Sequence, residues 1–571
     1  MISEEKMTEA ATAAGAEAQA GVMNTVSRTA PAPYVVAAPQ KEDTEYTKRM
    51  KGSFGFFGPV TFLYAAFYAF CMYKNGSGIT FPFFMAGSLL YLCFSLSKLE
   101  ITLKKGSAFY MVSMILLGVS TFCTDDWRII SLNKTGIFFL MMSLLLKQFY
   151  DTSKWKLGKY LVSICDLVFL SVGELGRPFS DGGRYFKDRQ GKNGRKFWYG
   201  VLGLVIAVPL FLIVLGLLSS ADAVFREITN HLLEYIKLGN ILNVVFRITF
   251  IFFASYLLVA YLCRRTIKEE VKDRRNGEPV LAITITGLLS VLYLVFSGIQ
   301  IIYLFLGKMQ LPADYTYAMY AREGFFQLLA VSILNLIIVL VTLAYFKESK
   351  VLKAILTIMS LCTFIMIASS ALRMIMYIRY YYMTFLRIFV LWALAVLFLL
   401  FIGVIINVYK EHFPLFRYGM VVITVFYIAL SFMHPDYIIA RVNVANAPMT
   451  TWYDEGDDEV WKKVWKEWKG EESFFQASEP YHDFKYLANL SADAAPVLIP
   501  YFAYLDYDLD VFYKEDIRQE LDTDVMRKNK IYGFGYYYLE YLQKRTEDFS
   551  LRTYNISRHM ALKNIEKYTA E

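Results

Sequence analysis

The feature that most restricts the fold of this chain is a series of apolar segments of roughly 20 residues, separated by short, mostly basic connections. About 20 apolar residues in a helix span the hydrocarbon core of a bilayer. The 571 residues are 56% hydrophobic, and their mean hydropathy is +0.37. The segments do not alternate apolar and polar residues as the strands of an outer-membrane barrel would. They therefore predict an all-α, polytopic membrane helix bundle.

Residues 53–433 are predicted to form this bundle, with eleven spans. The expected spans are 54–73, 79–97, 106–123, 129–146, 198–218, 241–262, 280–304, 323–345, 351–372, 385–408 and 415–433. Residues 1–52 lack a sustained apolar period, which predicts a disordered cytoplasmic tail and excludes a secretory signal. Residues 434–571 are predicted to form an extracytoplasmic α-helical domain, because helical apolar spacing returns there, for example at Trp461, Trp465 and Trp468.

The distribution of charge predicts the orientation of the chain. Residues up to 433 contain 42 Lys and Arg and 26 Asp and Glu, whereas residues 434–571 contain 17 and 25. Basic connections stay in the cytosol. With a cytoplasmic amino terminus, most basic connections fall on that side of the cell membrane, and the acidic carboxyl end falls outside. The connection that carries Arg373, Arg379 and Arg387 is the exception.

The segment 155–175 allows two interpretations. It is apolar on one face but includes Asp166 and Glu174. An amphipathic helix on the inner surface is consistent with the charge pattern. A twelfth span would place the basic stretch 177–196 outside and reverse the rest of the chain.

Several classes of function find no support in the sequence. The six cysteines form no CxxC pair, and the five histidines show no metal-ligand spacing, so no metal site and no cofactor are predicted. The basic residues do not form one continuous face, which argues against nucleic acid as a partner. Phosphate-binding loops and catalytic signatures do not occur, so no catalytic residue is predicted.

The first candidate site lies at the mouth of the 323–345 span and contains Tyr320, Arg322, Glu323 and Gln327. Ionisable groups at the edge of hydrocarbon usually face a partner or a water-filled cavity. These side chains could line an outward-facing ligand site. Alternatively, the charged pair anchors the helix at the interface.

Two further candidates flank other spans. Asp222 could act as a base or ligand contact, but it could equally cap a helix that begins near Val224. Arg373, Tyr377 and Arg387 combine guanidinium groups with aromatic rings, which suits a carboxylate, a phosphate or a sugar. The same residue types are ordinary in a lipid headgroup belt. The pair Asp125-Asp126 resembles the acidic pairs of lipid-linked sugar transferases, which is a weak signal alone.

Several motifs together are similar to one known family. They are residues 219–225 (SSADAVF), 320–328 (YAREGFFQL), 370–374 (SALRM) with Tyr377, Thr384 and Arg387, 434–436 (HPD) with 439–443 (IARVN), and 486–494 (YLANLSADA). This set resembles bacterial membrane proteins catalogued as domain of unknown function 4173, close to the 4153 family. His434 stands where the family pattern has Asn. The resemblance implies a bacterial envelope protein of uncharacterised role and supplies no catalytic residues.

These observations lead to three functional hypotheses. The first is a non-enzymatic membrane protein that contacts lipid and binds a ligand, an envelope component or a partner protein on its outer side. The second is a secondary transporter whose path is lined by Arg322, Glu323 and Arg373. The third is a transferase or hydrolase of lipid-linked substrates that uses Asp222 or the pair Asp125-Asp126.

Overall fold

The computed structural model describes residues 43–227, 238–270, 275–302, 324–410, 413–446, 486–501, 534–546 and 550–569. Within these ranges the regular structure is helical, and the single β contact is a bridge between Gly277 and Phe346. The predicted all-α class is therefore confirmed for the described residues.

Sixteen α-helices are described, numbered here in chain order. The first eight are α1 (Glu45–Gly52), α2 (Phe54–Met72), α3 (Thr80–Lys98), α4 (Ser107–Cys123), α5 (Trp127–Phe149), α6 (Leu157–Phe169), α7 (Arg177–Ala221) and α8 (Leu238–Arg264). The others are α9 (Pro279–Gln300), α10 (Phe325–Tyr345), α11 (Lys350–Tyr381), α12 (Phe385–Tyr409), α13 (Leu415–Phe432), α14 (Pro435–Asn446), α15 (Phe534–Thr546) and α16 (Ile556–Thr569).

Nine of the described helices are long and apolar enough to cross a membrane: α2, α3, α5 and α8 to α13. Helix α4 is apolar but shorter, at 17 residues, and α7 contains the predicted span 198–218. The described part of each of the eleven predicted spans thus lies mainly on one helix. The chain is a multi-pass membrane protein, and eleven crossings remains a prediction.

The buried side chains form three groups, of which two lie in the same part of the bundle. One core includes residues of α2 to α6, α8 and α13, such as Phe57, Leu117 and Leu144. The other part of the bundle contains α9 to α12, whose buried residues include Leu356 and Phe401. Helix α13 connects the two parts, because it packs against both α12 and α4.

The connections between helices meet at two opposite ends of the bundle. At one end, Asn555 Nδ2 donates to the carbonyl oxygens of Ser77 and Thr124, at 3.0 Å each, and joins the connections 73–79 and 124–126. We call this end the Asp125 face. At the other end, Lys104 Nζ donates to the carbonyl oxygen of Tyr150 at 2.7 Å. We call that end the Glu174 face.

The segment that includes α6 begins and ends at the Glu174 face. Trp155 Nε1 donates to the carbonyl oxygen of Glu269 at 3.3 Å, and Glu174 pairs with Arg264. Helix α6 has 13 residues, which gives a length of about 20 Å, shorter than the hydrocarbon core. This geometry supports an interfacial helix, whose position relative to the bilayer stays a prediction.

The described parts of the carboxyl-terminal region pack onto the bundle. Leu490, Tyr538 and Ala561 are buried in the same core as Leu117 and Ile129. The structure therefore shows docked segments, and a separate extracytoplasmic domain stays a prediction. The predicted tryptophan stripe at 461–468 lies outside the described residues.

A buried polar network links α4, α5 and α13. Asn133 Oδ1 accepts hydrogen bonds from Tyr427 Oη and Ser431 Oγ at 2.7 Å each, and Asn133 Nδ2 donates to Thr121 Oγ1 at 3.1 Å. Helices in lipid gain no hydrophobic attraction for one another, so such interhelical hydrogen bonds help to fix their packing.

Replacing Asn133 with Ala should lower the free energy of unfolding by about 1–2 kcal/mol, because Tyr427 and Ser431 lose a buried acceptor. The measurement is the thermal denaturation midpoint of the detergent-purified protein. Thr135→Ala is the matched control, since exposed Thr135 bonds only to the carbonyl of Ser131 on its own helix. Equal midpoints for the two variants would show that this network does not hold the helices together.

Candidate functional site

The turn between α4 and α5 carries two carboxylates that are fully buried. Asp125 and Asp126 are each 0% exposed. Asp126 is the N-cap of α5, and its Oδ1 accepts from the backbone N–H of Arg128 at 2.9 Å. A carboxylate at a helix amino terminus is favourable, because the first N–H groups lack partners within the helix. The turn therefore holds both acids in fixed positions.

Asp126 shares its arginine with a residue more than 300 positions away. Arg128 Nε contacts Asp126 Oδ1 at 2.8 Å, and Arg128 Nη2 binds Asp436 Oδ1. The guanidinium also lies 4.1 Å from the ring centroid of Phe385. Asp436 Oδ2 accepts from the backbone N–H of Ser491 at 2.9 Å. Burial, together with the nearby Asp436 carboxylate, raises the pKa of Asp126 despite the contact with Arg128.

Asp493 is the acceptor that holds the carboxyl-terminal segments to this turn. Its Oδ1 accepts from the backbone N–H of Asp125 at 2.8 Å and from Ser557 Oγ. Its Oδ2 accepts from Thr124 Oγ1 at 2.5 Å and contacts His434 Nδ1 at 3.1 Å. Burial alone would raise the pKa of Asp493, but these hydrogen bonds outweigh it and lower the pKa below its usual range.

Asp125 faces two arginines of the carboxyl-terminal segments. Arg558 Nε binds its Oδ1 at 2.7 Å, and Arg545 Nη2 lies 3.4 Å from the same oxygen. Burial raises the pKa of Asp125, and the two guanidinium groups oppose that increase. Asp125 Oδ2 and Arg545 Nε are buried and have no hydrogen-bond partner among the described residues.

A cavity of about 520 Å³ opens beside this cluster. Its wall comes from the connection 73–79, one face of α5, and the segments around α15 and α16. The residues that line it are Lys74, Asn75, Gly76, Ser77, Trp127, Ile130, Ser131, Lys134, Lys544, Arg545, Thr553 and Arg558. Of the described residues that line it, five are basic and none is acidic. The cavity is therefore suited to an anion.

Arg373, Tyr377 and Arg387, which the sequence groups together, are also close in the structure. Arg387 lies 4.2 Å from the ring centroid of Tyr377 and donates to backbone carbonyls at the end of α11, so it caps that helix. Arg373 is buried, and its Nη2 lies 3.4 Å from Gln300 Oε1. Next to it, Gly324 has a φ of 95°, a conformation that favours glycine.

Of the other predicted site residues, two lie at exposed positions of the structure and three lie outside the described residues. Asp222 is exposed, and its Oδ1 accepts from the backbone N–H of Phe225 at 2.6 Å, which is the geometry of a helix cap. Gln327 lies on an exposed face of α10. Tyr320, Arg322 and Glu323 lie outside the described residues. A role of any of these side chains in ligand binding stays a prediction.

Sequence reasoning did not assign Asp436, Asp493, Arg545 or Arg558 to a site. Two of them occur in motifs that the resemblance includes, HPD at 434–436 and SADA at 491–494. The position of Asp436 and Asp493 in the sequence offered one indication of a shared role, because each follows an apolar segment, as Asp125 does. Nothing in their spacing shows that they meet.

Replacing Asp493 with Ala should destabilise the protein by on the order of 3 kcal/mol, because four donors lose their common acceptor at a buried position. We expect faster limited proteolysis at the carboxyl-terminal segments and a lower denaturation midpoint. Asp151→Ala is the control, since exposed Asp151 accepts from the nearby Ser153, whose backbone N–H lies 3.0 Å from Oδ1. Similar proteolysis of both variants would contradict a clamping role for Asp493.

The His434–Asp493 contact predicts a pH dependence. The hydrogen bond to Asp493 raises the pKa of His434 above its usual value, whereas the pKa of Asp493 is lowered. The stabilisation from His434 is complete below about pH 6.5 and is lost as the pH rises through the raised pKa. The stabilisation from Asp493 is present above about pH 4 and is lost as the pH falls through the lowered pKa of this carboxyl group.

The variant His434→Asn tests this dependence. His434 has a φ of 48°, and Asn adopts this left-handed conformation readily, so the backbone should be preserved. The difference in denaturation midpoint between the native protein and the variant should be largest between about pH 4 and 6.5, and smaller at pH 8.5. The other titrating groups occur in both proteins, so their contributions to the pH dependence cancel in this difference. A difference in denaturation midpoint that stays constant from about pH 4 to pH 8.5 would contradict a charged pair between His434 and Asp493.

Comparison with known proteins gives one match. The family model described as Domain of unknown function (DUF4153) matches residues 111–501, more than half of the chain. The matched range includes Asp125, Asp126, Asp436 and Asp493. No curated protein and no solved structure gives a significant match. The resemblance to the neighbouring 4173 family stays an expectation, and the chain belongs to the DUF4153 family.

Proposed function

We propose that this chain is a non-enzymatic protein of the bacterial cell membrane that binds an anionic ligand on its extracytoplasmic side. The observation that carries the proposal is the cavity at the Asp125 face, where the described lining residues include five basic and no acidic side chains. Wall residues of one sign raise the local concentration of a ligand of the other sign. The ligand could be a small molecule or a group on an envelope component.

The expected orientation places this cavity outside the cell. Connections between membrane helices are more basic at the Glu174 face, where Lys104, Lys105, Arg264 and Arg265 lie. Basic connections remain in the cytosol. The Asp125 face is the opposite end of the bundle, so it would face the cell exterior.

Binding explains the arrangement better than catalysis does. The acids that a transferase or hydrolase would need are engaged in holding the fold. Asp126 binds Arg128, and Asp125 binds Arg558. Asp222 caps a helix through the backbone N–H of Phe225. The transporter hypothesis depends on Arg322, Glu323 and Arg373. The first two lie outside the described residues, and Arg373 contacts Gln300, so no specific observation favours it.

The proposal is tested with purified full-length protein in nanodiscs of zwitterionic lipid. Fluorescent polyphosphate, a polycarboxylate and a sulfated polysaccharide are titrated at low salt, and binding is followed by anisotropy. We expect at least one of them to bind and to be released by added salt. The double variant Lys74→Glu/Lys134→Glu should weaken binding by more than about tenfold, because it reverses two charges in the cavity wall.

Lys563→Glu is the control, because Lys563 is an exposed basic residue of α16 that does not line the cavity. It should bind like the native protein. If no anion binds the native protein, or if both charge reversals weaken binding equally, a specific anion site in this cavity is excluded.

A further inference from the structure

One wall of the cavity is a single face of a membrane helix. Trp127, Ile130, Ser131 and Lys134 of α5 all line it, and residues spaced by three, four and seven lie on one side of a helix. At 1.5 Å per residue, Lys134 lies about 10 Å further along α5 than Trp127. The cavity therefore follows α5 from the end of the bundle towards its middle.

The same face of α5 becomes apolar beyond Lys134. Phe138 is the next residue on this face, and 41% of its surface is exposed in the described structure. At the other end, Trp127 is 70% exposed. Tryptophan is enriched at the depth of lipid headgroups, and exposed Phe is ordinary where acyl chains lie. The face thus changes from a headgroup environment to a hydrocarbon environment, with Lys134 between them.

The cavity contains more basic side chains than there are acidic side chains in contact with them. Arg545 and Arg558 share the carboxylate of Asp125, and Lys544 pairs with Glu540 at 2.7 Å. The contacts shown for Lys74 and Lys134 are with aromatic rings, Tyr73 and Phe81, at 5.8 Å each. Among the described residues, these two ammonium groups and one guanidinium therefore remain as excess positive charge.

Lys134 is held close to the connection that carries Lys74. A Cβ atom added to Gly76 would lie 3.2 Å from Lys134 Nζ, so the ammonium group lies against the backbone of the connection 73–79. Two lysines from different elements thus face one small volume. A single carboxylate would neutralise only part of this excess, whereas a phosphomonoester or diphosphate carries about two or more negative charges. Lysine is a common phosphate ligand in proteins.

We propose that the ligand is a membrane amphiphile whose headgroup ends in a phosphomonoester or diphosphate, with the phosphate between Lys74 and Lys134 and the hydrocarbon along Phe138. This proposal rests on the proposed function and specifies the ligand of the same cavity. A soluble phosphate compound shares the headgroup chemistry, and the experiment separates the two sources.

The test is native mass spectrometry of the full-length protein, with phosphatidic acid, phosphatidylglycerol, a fatty acid and soluble pyrophosphate added separately. Phosphatidic acid has a phosphomonoester headgroup, whereas phosphatidylglycerol has a singly charged diester. We expect phosphatidic acid to bind most tightly. Each lysine near anionic lipid contributes about fivefold, so Lys74→Gln/Lys134→Gln should weaken binding by about 25-fold. Lys74→Arg/Lys134→Arg and the control Lys563→Gln should retain it.

A second variant separates lipid from soluble phosphate. Phe138→Ser should weaken the binding of phosphatidic acid and leave that of pyrophosphate unchanged, because only the lipid contacts this residue. If pyrophosphate binds as tightly as phosphatidic acid and Phe138→Ser has no effect, the ligand is a soluble phosphate and the amphiphile is excluded.

The remaining outcomes separate this inference from the proposed function. If phosphatidylglycerol or the fatty acid binds as tightly as phosphatidic acid, the preference for a doubly charged phosphate is wrong, but anion binding stands. If none of the four binds here while a non-phosphate anion binds in the nanodisc titration, only the phosphate inference fails. If nothing binds in either experiment, both proposals fail.

Discussion

The cavity depends on the buried carboxylates that join the carboxyl-terminal segments to the turn between α4 and α5. A carboxylate inside a protein is costly unless it is paired or hydrogen-bonded. Asp493 meets this requirement with four donors from three parts of the chain, and Arg128 binds both Asp126 and Asp436. Removing one partner would leave the other buried and unpaired, so the contacts are mutually dependent.

This dependence connects the fold to the proposed function. Three separate segments form the cavity wall, and two of them meet because Arg558 binds Asp125. Arg545 and Arg558 thus have two roles, since they neutralise Asp125 on one side and line the cavity on the other. A ligand that contacts the cavity would stabilise the docking of these segments, because it would bind only the assembled wall.

The other part of the bundle also contains charged side chains, and their described contacts are with neighbouring polar groups. Arg387 lies at the end of α11, where its guanidinium satisfies carbonyl groups that have no partner within the helix. Arg373 lies close to Gln300 and Gly324. Such contacts are expected wherever an ionisable group lies inside a bundle, so the grouping of arginines and tyrosines in the sequence does not by itself indicate a ligand.

The sequence by itself determined the properties that depend on local interactions. Runs of about 20 apolar residues predicted where the long apolar helices lie, since each helix satisfies its own backbone hydrogen bonds. The expectation that Asp222 caps a helix could be stated as one of two alternatives, because a cap involves neighbouring residues.

Only the tertiary structure decided which charges meet. Asp125 and Asp493 are separated by 368 residues, and Asp126 and Asp436 approach the same arginine from distant parts of the chain. Neither spacing nor helical period encodes such a contact, because it depends on how the helices pack. For the same reason, the sequence did not indicate that Lys74, Lys134 and Arg558 line one cavity.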